Sequence, residues 1–474
     1  MDSLATTQAV APTSPQTDDI RPHSRALGLT AICLGFLMIT LDATIVNVAL
    51  GPIGSDLGGA LSTAQWIVNG YALAFAALLL SAGALADRIG SRAGFLIGLA
   101  IFGLGSAACA GATSLATLIA ARIVQGAGAA GLMPCSLALI AHMFPDAHDR
   151  RRALAVWGGA SGIGLAAGPV LGGVLTAAAG WRAIFLVNVP SAAAAAALLV
   201  RHVNETGRQR QALDLPGQLL AIATLAALTG GFITAGSQAW GARLTVTLLA
   251  AGTAGVAAFV LVERAVTHPM VDPVLFRERA FAIAVAIGAV FNFCLYGAIF
   301  CLAIDLRRAH GLDALDAGLA LLPMTIVTGT MAFISGRVIP RAGEWRVILA
   351  GLAAGATGAL LVALNSGRGP LGALIASSVP LGFTALAMPA MTAVAMTHAP
   401  RHRIGLASGI FNASRQTGGA LGIAVLGTLL VAGQGPVSLH VAFVATAGCY
   451  VAGIALAVAG HRHTRAITET RSRP

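Results

Sequence analysis

The chain has 474 residues, of which 57% are hydrophobic and only 10% charged. A soluble globular protein carries about 25% charged residues, so this composition excludes a water-soluble fold and indicates an integral membrane protein. The net charge of +11 is not read as a nucleic-acid signal, because the basic residues, all of them arginines, lie mostly in loops where they set membrane orientation.

Residues 1–24 are polar, contain Asp2, Asp18 and Asp19, and lack a cleavable signal pattern. A disordered cytoplasmic tail is expected there, with the first helix acting as an uncleaved anchor. A spanning helix needs about 20 mostly apolar residues. Fourteen such runs follow: 27–49, 65–86, 93–111, 115–143, 153–177, 182–200, 215–236, 243–262, 280–303, 317–338, 346–364, 370–396, 405–431 and 439–460. The predicted fold is an all-α polytopic membrane protein.

The second and third runs are joined by a polar hinge, Asp87-Arg88-Ile89-Gly90-Ser91-Arg92. It is too short to cross a bilayer, so it turns the chain back on one side. If the N-terminus is cytoplasmic, the inside segments hold 22 arginines and the outside loops 5. That asymmetry places both termini inside. The two remaining arginines, Arg122 and Arg415, fall within apolar runs.

The segment from Gly336 to Gly343 echoes the one from Gly83 to Gly90 at an offset of 253 residues. The echo follows the tenth run and the original follows the second. Helices 1–6 therefore correspond to helices 9–14, and helices 7 and 8 are an insert. The expected division is a bundle at 25–200, a two-helix insert with linkers at 201–279, a second bundle at 280–460 and a cytoplasmic tail at 461–474. Parallel six-helix repeats are a transporter architecture.

Few residues in the runs can carry chemistry. Asp42 is the only acidic residue well inside a span. An intramembrane carboxyl faces a cavity or a partner, and it can bind and release a proton as access alternates. The plainer reading is a local hydrogen bond to Thr44 or Asn47. Arg122 needs a carboxylate, carbonyls or water around it, with Gln125 on or near its face. A pair between Asp42 and Arg122 would loosen on protonation, or Arg122 is polar packing alone. Gly164, Gly168 and Gly172 give one smooth face, expected to let the fifth helix pack on a helix of the other half, with Pro169 able to kink it. Arg415 lies in the thirteenth run. Asn47, Gln125, Trp157, Asn292, Tyr296 and Arg415 are candidates for a substrate cavity, beside the simpler reading of each as packing. Asp305, next to Arg307 and Arg308, is expected in a surface cluster. The six cysteines lie in apolar runs without metal-ligand spacing and read as packing thiols. No metal and no cofactor are expected.

The stretch Gly83-x-Leu85-Ala86-Asp87-Arg88-x-Gly90-x-Arg92 resembles the signature between helices 2 and 3 of the major facilitator superfamily. Leu41-Asp42-x-Thr44-Ile45-Val46-Asn47, Arg122-Ile-Val-Gln125-Gly126 and Gly164-x-x-x-Gly168-Pro169-x-x-Gly172-Gly173 resemble helix-1, helix-4 and helix-5 motifs of its fourteen-helix drug:proton antiporter branch. The pattern is similar to methylenomycin-type and multidrug exporters after residue 25. Ser91 departs from a usually basic position, Pro52 comes one residue later than usual, and Pro340 replaces the acid in the second hinge copy. No acidic residue lies clearly within helix 10, which argues against dicationic substrates.

The resemblance implies a conformational latch at Gly83, Asp87, Arg88, Gly90 and Arg92, proton coupling through Arg122, and a helix-5 seam that seals the cytoplasmic side. The expected function is proton-coupled efflux of hydrophobic small molecules, driven by the proton gradient, across a bacterial cytoplasmic (inner) membrane. The expected partners are the small hydrophobic substrate, protons and lipid, without nucleic acid, and the chain is read as a monomer. A proton-coupled symporter or facilitator on the same fold is the alternative, and a membrane receptor or enzyme a remote one. Neither a P-loop nor a zinc-protease motif is present to favour the last.

Overall fold

The computed structural model describes residues 22–58, 61–207, 214–266, 269–366, 370–400, 403–432 and 436–471. Most of the expected N-terminal tail, residues 1–21, lies outside the described residues. The described chain forms fourteen long helices: α1 (Pro22–Leu57), α2 (Leu61–Ile89), α3 (Ser91–Ala110), α4 (Leu115–Met143), α5 (Ala147–Ala179), α6 (Ala183–His202), α7 (Leu215–Gln238), α8 (Arg243–Ala265), α9 (Arg279–Arg308), α10 (Ala314–Ala342), α11 (Glu344–Asn365), α12 (Leu371–Thr397), α13 (Ile404–Ala432) and α14 (Pro436–Arg471). Helices suit a bilayer because each satisfies its own backbone polar groups. Thirteen are long and apolar enough to cross a membrane among the described residues. The fourteenth, α13, is the one that carries Asn412, Arg415 and Gln416 near its centre.

Local chemistry sets the ends. Asp146 caps α5 by accepting from the N–H groups of His148 and Asp149 at 2.8 and 3.0 Å, and Ser114 and Thr117 form a capping box on α4. The predicted six-residue hinge shrinks to one residue, Gly90, whose φ of 99° turns α2 into α3. Two spans are interrupted. In α6 the helix breaks between Leu186 and Asn188, and Pro190 explains it by lacking an N–H and crowding the Leu186 carbonyl. In α12 a 3₁₀ turn at Phe383–Leu386 precedes Pro389 for the same reason. At the C-terminus α14 continues as helix to Arg471 rather than ending near residue 460, because His461–Arg471 contains neither Gly nor Pro.

One packing scheme occurs twice. In the first half α1 packs on α5 and α6, while α4 packs on α2 and α3. In the second half α9 packs on α13 and α14, while α12 packs on α10 and α11. The halves meet along two seams, α5 with α10 and α2 with α13. Helices α7 and α8 pack on each other, and α7 covers the α2–α13 seam.

The bundle is closed at one end and splayed at the other along α5–α10. At the end remote from the hinge a Cβ on Gly173 would come within 2.6 Å of the Ala314 carbonyl, and one on Gly318 would strike the Pro169 carbonyl. Towards the hinge end, Gly158 and Gly159 on α5 and Gly336 on α10 have no described atom within 4 Å of a Cβ position. Val156 and Phe333 are correspondingly exposed, at 55% and 61%.

Candidate functional site

Asp42 and Arg122 meet in the interior of the first half and form an ion pair, each with its side chain 0% exposed. The pair has a built surround. Gln125, one turn beyond Arg122 on α4, donates from Nε2 to Asp42 Oδ1 at 2.8 Å and to Ser106 Oγ at 2.7 Å. Its Oε1 accepts from the Arg122 guanidinium at 2.7 Å. Asn188 donates to Asp42 Oδ1 at 3.2 Å, and Arg122 Nε donates to the Ile67 carbonyl at 3.0 Å. Five helices thus contribute to one charge-assisted network. Burial without such partners would be prohibitive for either charge.

Glycines allow this convergence. A Cβ on Gly126 would strike the Tyr71 carbonyl, and one on Gly105 would lie 2.8 Å from the Gln125 nitrogen. Small residues let α2, α3 and α4 approach closely enough for short polar side chains to reach across. Asn188 and Ser106 were not recognised as site residues in the sequence. Asn188 stands at the Pro190 break, and that local break is the signal that marks it.

Tyr71 separates the network from the centre of the molecule. The Arg122 guanidinium carbon lies 4.3 Å from the Tyr71 ring centroid, a cation–π contact. Tyr71 also lines a narrow central cavity of about 60 Å³ between the halves, together with Phe36, Tyr296, Met388, Arg415 and Gln416. Thr40 and Ala43 of α1 line the same cavity while Asp42 between them faces α4. A second, larger cavity of about 510 Å³ lies nearer the hinge, between α2, α4 and α13.

The candidate cavity residues divide. Tyr296 and Arg415 line the central cavity. Asn292 stands behind, its Oδ1 accepting from Arg415 at 3.4 Å. Trp157 stacks on Phe36, with ring centroids 3.9 Å apart. Gln125 belongs to the Asp42 network. Asn47 is buried and donates to the Thr44 carbonyl of its own helix at 3.2 Å, so neither Asn47 nor Thr44 holds Asp42 as the plainer sequence reading had it.

Two expectations need correction. The stripe of Gly164, Gly168 and Gly172 packs on α1 of its own half, against Thr40, Thr44 and Ile45, and not on the other half. Helical phase is the reason: residues four apart stay on one face, and the α10 contacts fall instead to Pro169 and Gly173. Asp305 is buried at 9% exposure, facing His310 at 3.7 Å, rather than in a surface cluster.

At the hinge, Gly83 and Asp87 line the larger cavity. Gly90 offers no side-chain cap to α3. Glu205, beyond α6, supplies it, accepting from the N–H groups of Arg92 and Ala93 at 3.0 Å each, while Thr206 accepts from Ser91 at 2.7 Å. Arg92 reaches the Val200 carbonyl at 2.8 Å. Arg88 is exposed. Among the described residues no ion pair joins Asp87 to the second half.

Comparison with known proteins gives one family. Residues 32–423 match the model of the Major Facilitator Superfamily, with a further match over 285–472. A methylenomycin A resistance protein of Streptomyces coelicolor is 38% identical over 403 residues, 85% of each chain. The multidrug resistance protein Stp of Mycobacterium tuberculosis is 38% identical over 411 residues, covering 86% of this chain and 76% of that one. Among solved structures, the human organic anion transporter MFSD10 superposes with a TM-score of 0.64 over 91% of this chain and 99% of its own. At 18% identity that likeness concerns the fold alone.

Proposed function

Because this chain belongs to the major facilitator superfamily, and because curated relatives at 38% identity are named as resistance proteins, we propose that it exports hydrophobic small molecules in exchange for protons. The observation that carries the proposal is the buried Asp42–Arg122 pair set one side chain behind the central cavity.

The hinge end is assigned to the cytoplasm by the arginine asymmetry. The α5–α10 seam is then open inward and sealed outward. A substrate enters from the cytoplasm or inner leaflet and seats against Tyr71, Tyr296 and Met388, whose apolar and polarizable surfaces suit varied ligands. In the outward state a proton reaches Asp42. Neutral Asp42 no longer attracts Arg122, which keeps Gln125 and the Ile67 carbonyl as acceptors. The α1–α4 contact weakens, and α1 shifts its Thr40 and Ala43 face at the cavity. Substrate and proton thereby favour opposite states, as antiport requires. A membrane potential contributes about 2.3 kcal/mol per charge per 100 mV.

Everted vesicles containing the protein test this reading. Respiration should drive accumulation of a fluorescent hydrophobic drug, and a protonophore should collapse it. Accumulation that survives the protonophore would overturn proton coupling.

A further inference from the structure

The inserted helix pair holds a second buried carboxyl that the coupling scheme does not use. Glu263, at the end of α8, is 4% exposed. Its Oε2 accepts from the Val271 N–H at 2.8 Å, whereas its Oε1 is buried without a hydrogen-bond donor. The group beside it is another carboxyl, that of Asp214. A Cβ on Gly217 would touch both Glu263 Oε1 and Asp214 Oδ2, so the two oxygens flank one glycine. Asp214 Oδ1 caps α7 by accepting from the Gly217 N–H at 2.8 Å, and Oδ2 accepts weakly from Met270 at 3.4 Å.

Two acceptor oxygens thus lie beside one glycine, and among the described residues Glu263 Oε1 has no donor while the Met270 N–H is the one that reaches Asp214 Oδ2. Among the described residues the surrounding charges do not supply a donor to Glu263 Oε1, and Arg208 and Arg210 lie outside the described residues. Arg403, at the start of α13, is engaged with Asp272. Arg264 on α8 is exposed. Asp87 on α2 lines the same cavity as Asp214 and adds negative charge. His268 of the intervening linker lies outside the described residues. Two adjacent carboxylates cannot both ionise cheaply, and one shared proton satisfies both.

We propose that Asp214 and Glu263 share one proton and form a second proton-binding site, at the rim of the 510 Å³ cavity, whose occupancy sets the charge that the cavity presents to a lipophilic cation. Asp87 and Asp214 are the charged side chains lining that cavity, among Met133, Met270, Met396 and other apolar groups. A cation seated there draws off the shared proton, so one positive charge enters as one leaves. The cation as ligand rests on the export reading. The shared proton does not.

Infrared difference spectra of the full chain in lipid test the proton directly. The protein carries Asp42→Asn throughout, which removes that carboxyl from the signal. A protonated-carboxyl band present at neutral pH and lost in alkali is expected. Glu263→Gln and Asp214→Asn should each abolish it, since either amide supplies the missing donor and leaves the partner ionised. A band unchanged in both variants would overturn the shared proton. In a second arm, tetraphenylphosphonium added to unbuffered protein should release about one proton per cation bound. Release should vanish in Glu263→Gln and be absent with a neutral drug. Equal release from Glu263→Gln would overturn the link to the cation, whatever the transport assays show.

Discussion

Asp42 and Arg122 pair across α1 and α4 with neither side chain reached by solvent, and Gln125 bonds to both. The geometry makes the pair's two members unequal on removal. Arg122→Ala leaves a buried carboxylate with only neutral donors, a change that costs about 3–5 kcal/mol. Asp42→Asn leaves Arg122 with Gln125 and Ile67 as acceptors, and should cost less. Thermal unfolding in detergent should therefore fall further for Arg122→Ala than for Asp42→Asn. The double variant should lose less than the sum of the two. Additive losses would show that the two groups do not interact.

The α1–α5 interface makes a rescue possible. A Cβ on Gly168 collides with the Thr44 hydroxyl, whereas one on Gly172 collides with the Ile45 backbone carbonyl. Overpacking of this kind costs about 1–3 kcal/mol. Gly168→Ala should be partly restored by Thr44→Ala, because the hydroxyl can be trimmed although the residue-44 Cβ stays 2.9 Å from the new methyl. Gly172→Ala has no such remedy. Melting temperatures of the single and double variants decide it, and a Gly168→Ala variant no better with Thr44→Ala than without it would refute the assigned contact.

The Glu205 cap predicts a local effect. Glu205→Ala strips α3 of the acceptor for two N–H groups and should cost about 1 kcal/mol. Hydrogen exchange should quicken at Arg92 and Ala93 while α4 stays protected. Uniform protection in the variant would mean that water or another group caps the helix equally well.

The splayed α5–α10 seam predicts reactivity. With native cysteines replaced, Gly158→Cys and Gly336→Cys, which have open space around a Cβ, should react with maleimide from the hinge side and resist it from the opposite side. The reverse pattern would mean that the resting protein is open at the other end.

The sequence already carried most of the architecture. Apolar runs long enough to span a bilayer admit almost only helices, so fourteen elements could be counted without knowing how they pack. Asp42 and Arg122 stood out because charge in such runs is costly and needs a partner. What stayed hidden depends on phase and distance. A glycine stripe announces close packing but not the partner, so nothing in the sequence directs Gly164, Gly168 and Gly172 to α1 rather than to the other half. Asn188, Ser106 and Glu205 are ordinary polar residues until the fold brings them to Asp42 and the hinge. In the sequence Tyr71 is one aromatic among several. Only the structure sets it between Arg122 and the cavity.

That partition gives Tyr71 a testable place in the coupling. Tyr71→Phe keeps a ring over Arg122 and should transport nearly as the parent does. Tyr71→Ala opens the network to the cavity and should leak protons without substrate. Fluorescence quenching of a pH dye in proteoliposomes measures that leak, and tight Tyr71→Ala vesicles would contradict the partition.

In the proposed exchange, Asp42 carries the proton. Proteoliposomes containing Asp42→Asn, with an imposed pH gradient, test it most directly. Uphill drug movement should be lost while drug still equilibrates down its own gradient, because alternation survives and coupling does not. Uphill transport by Asp42→Asn at the parent rate would contradict it.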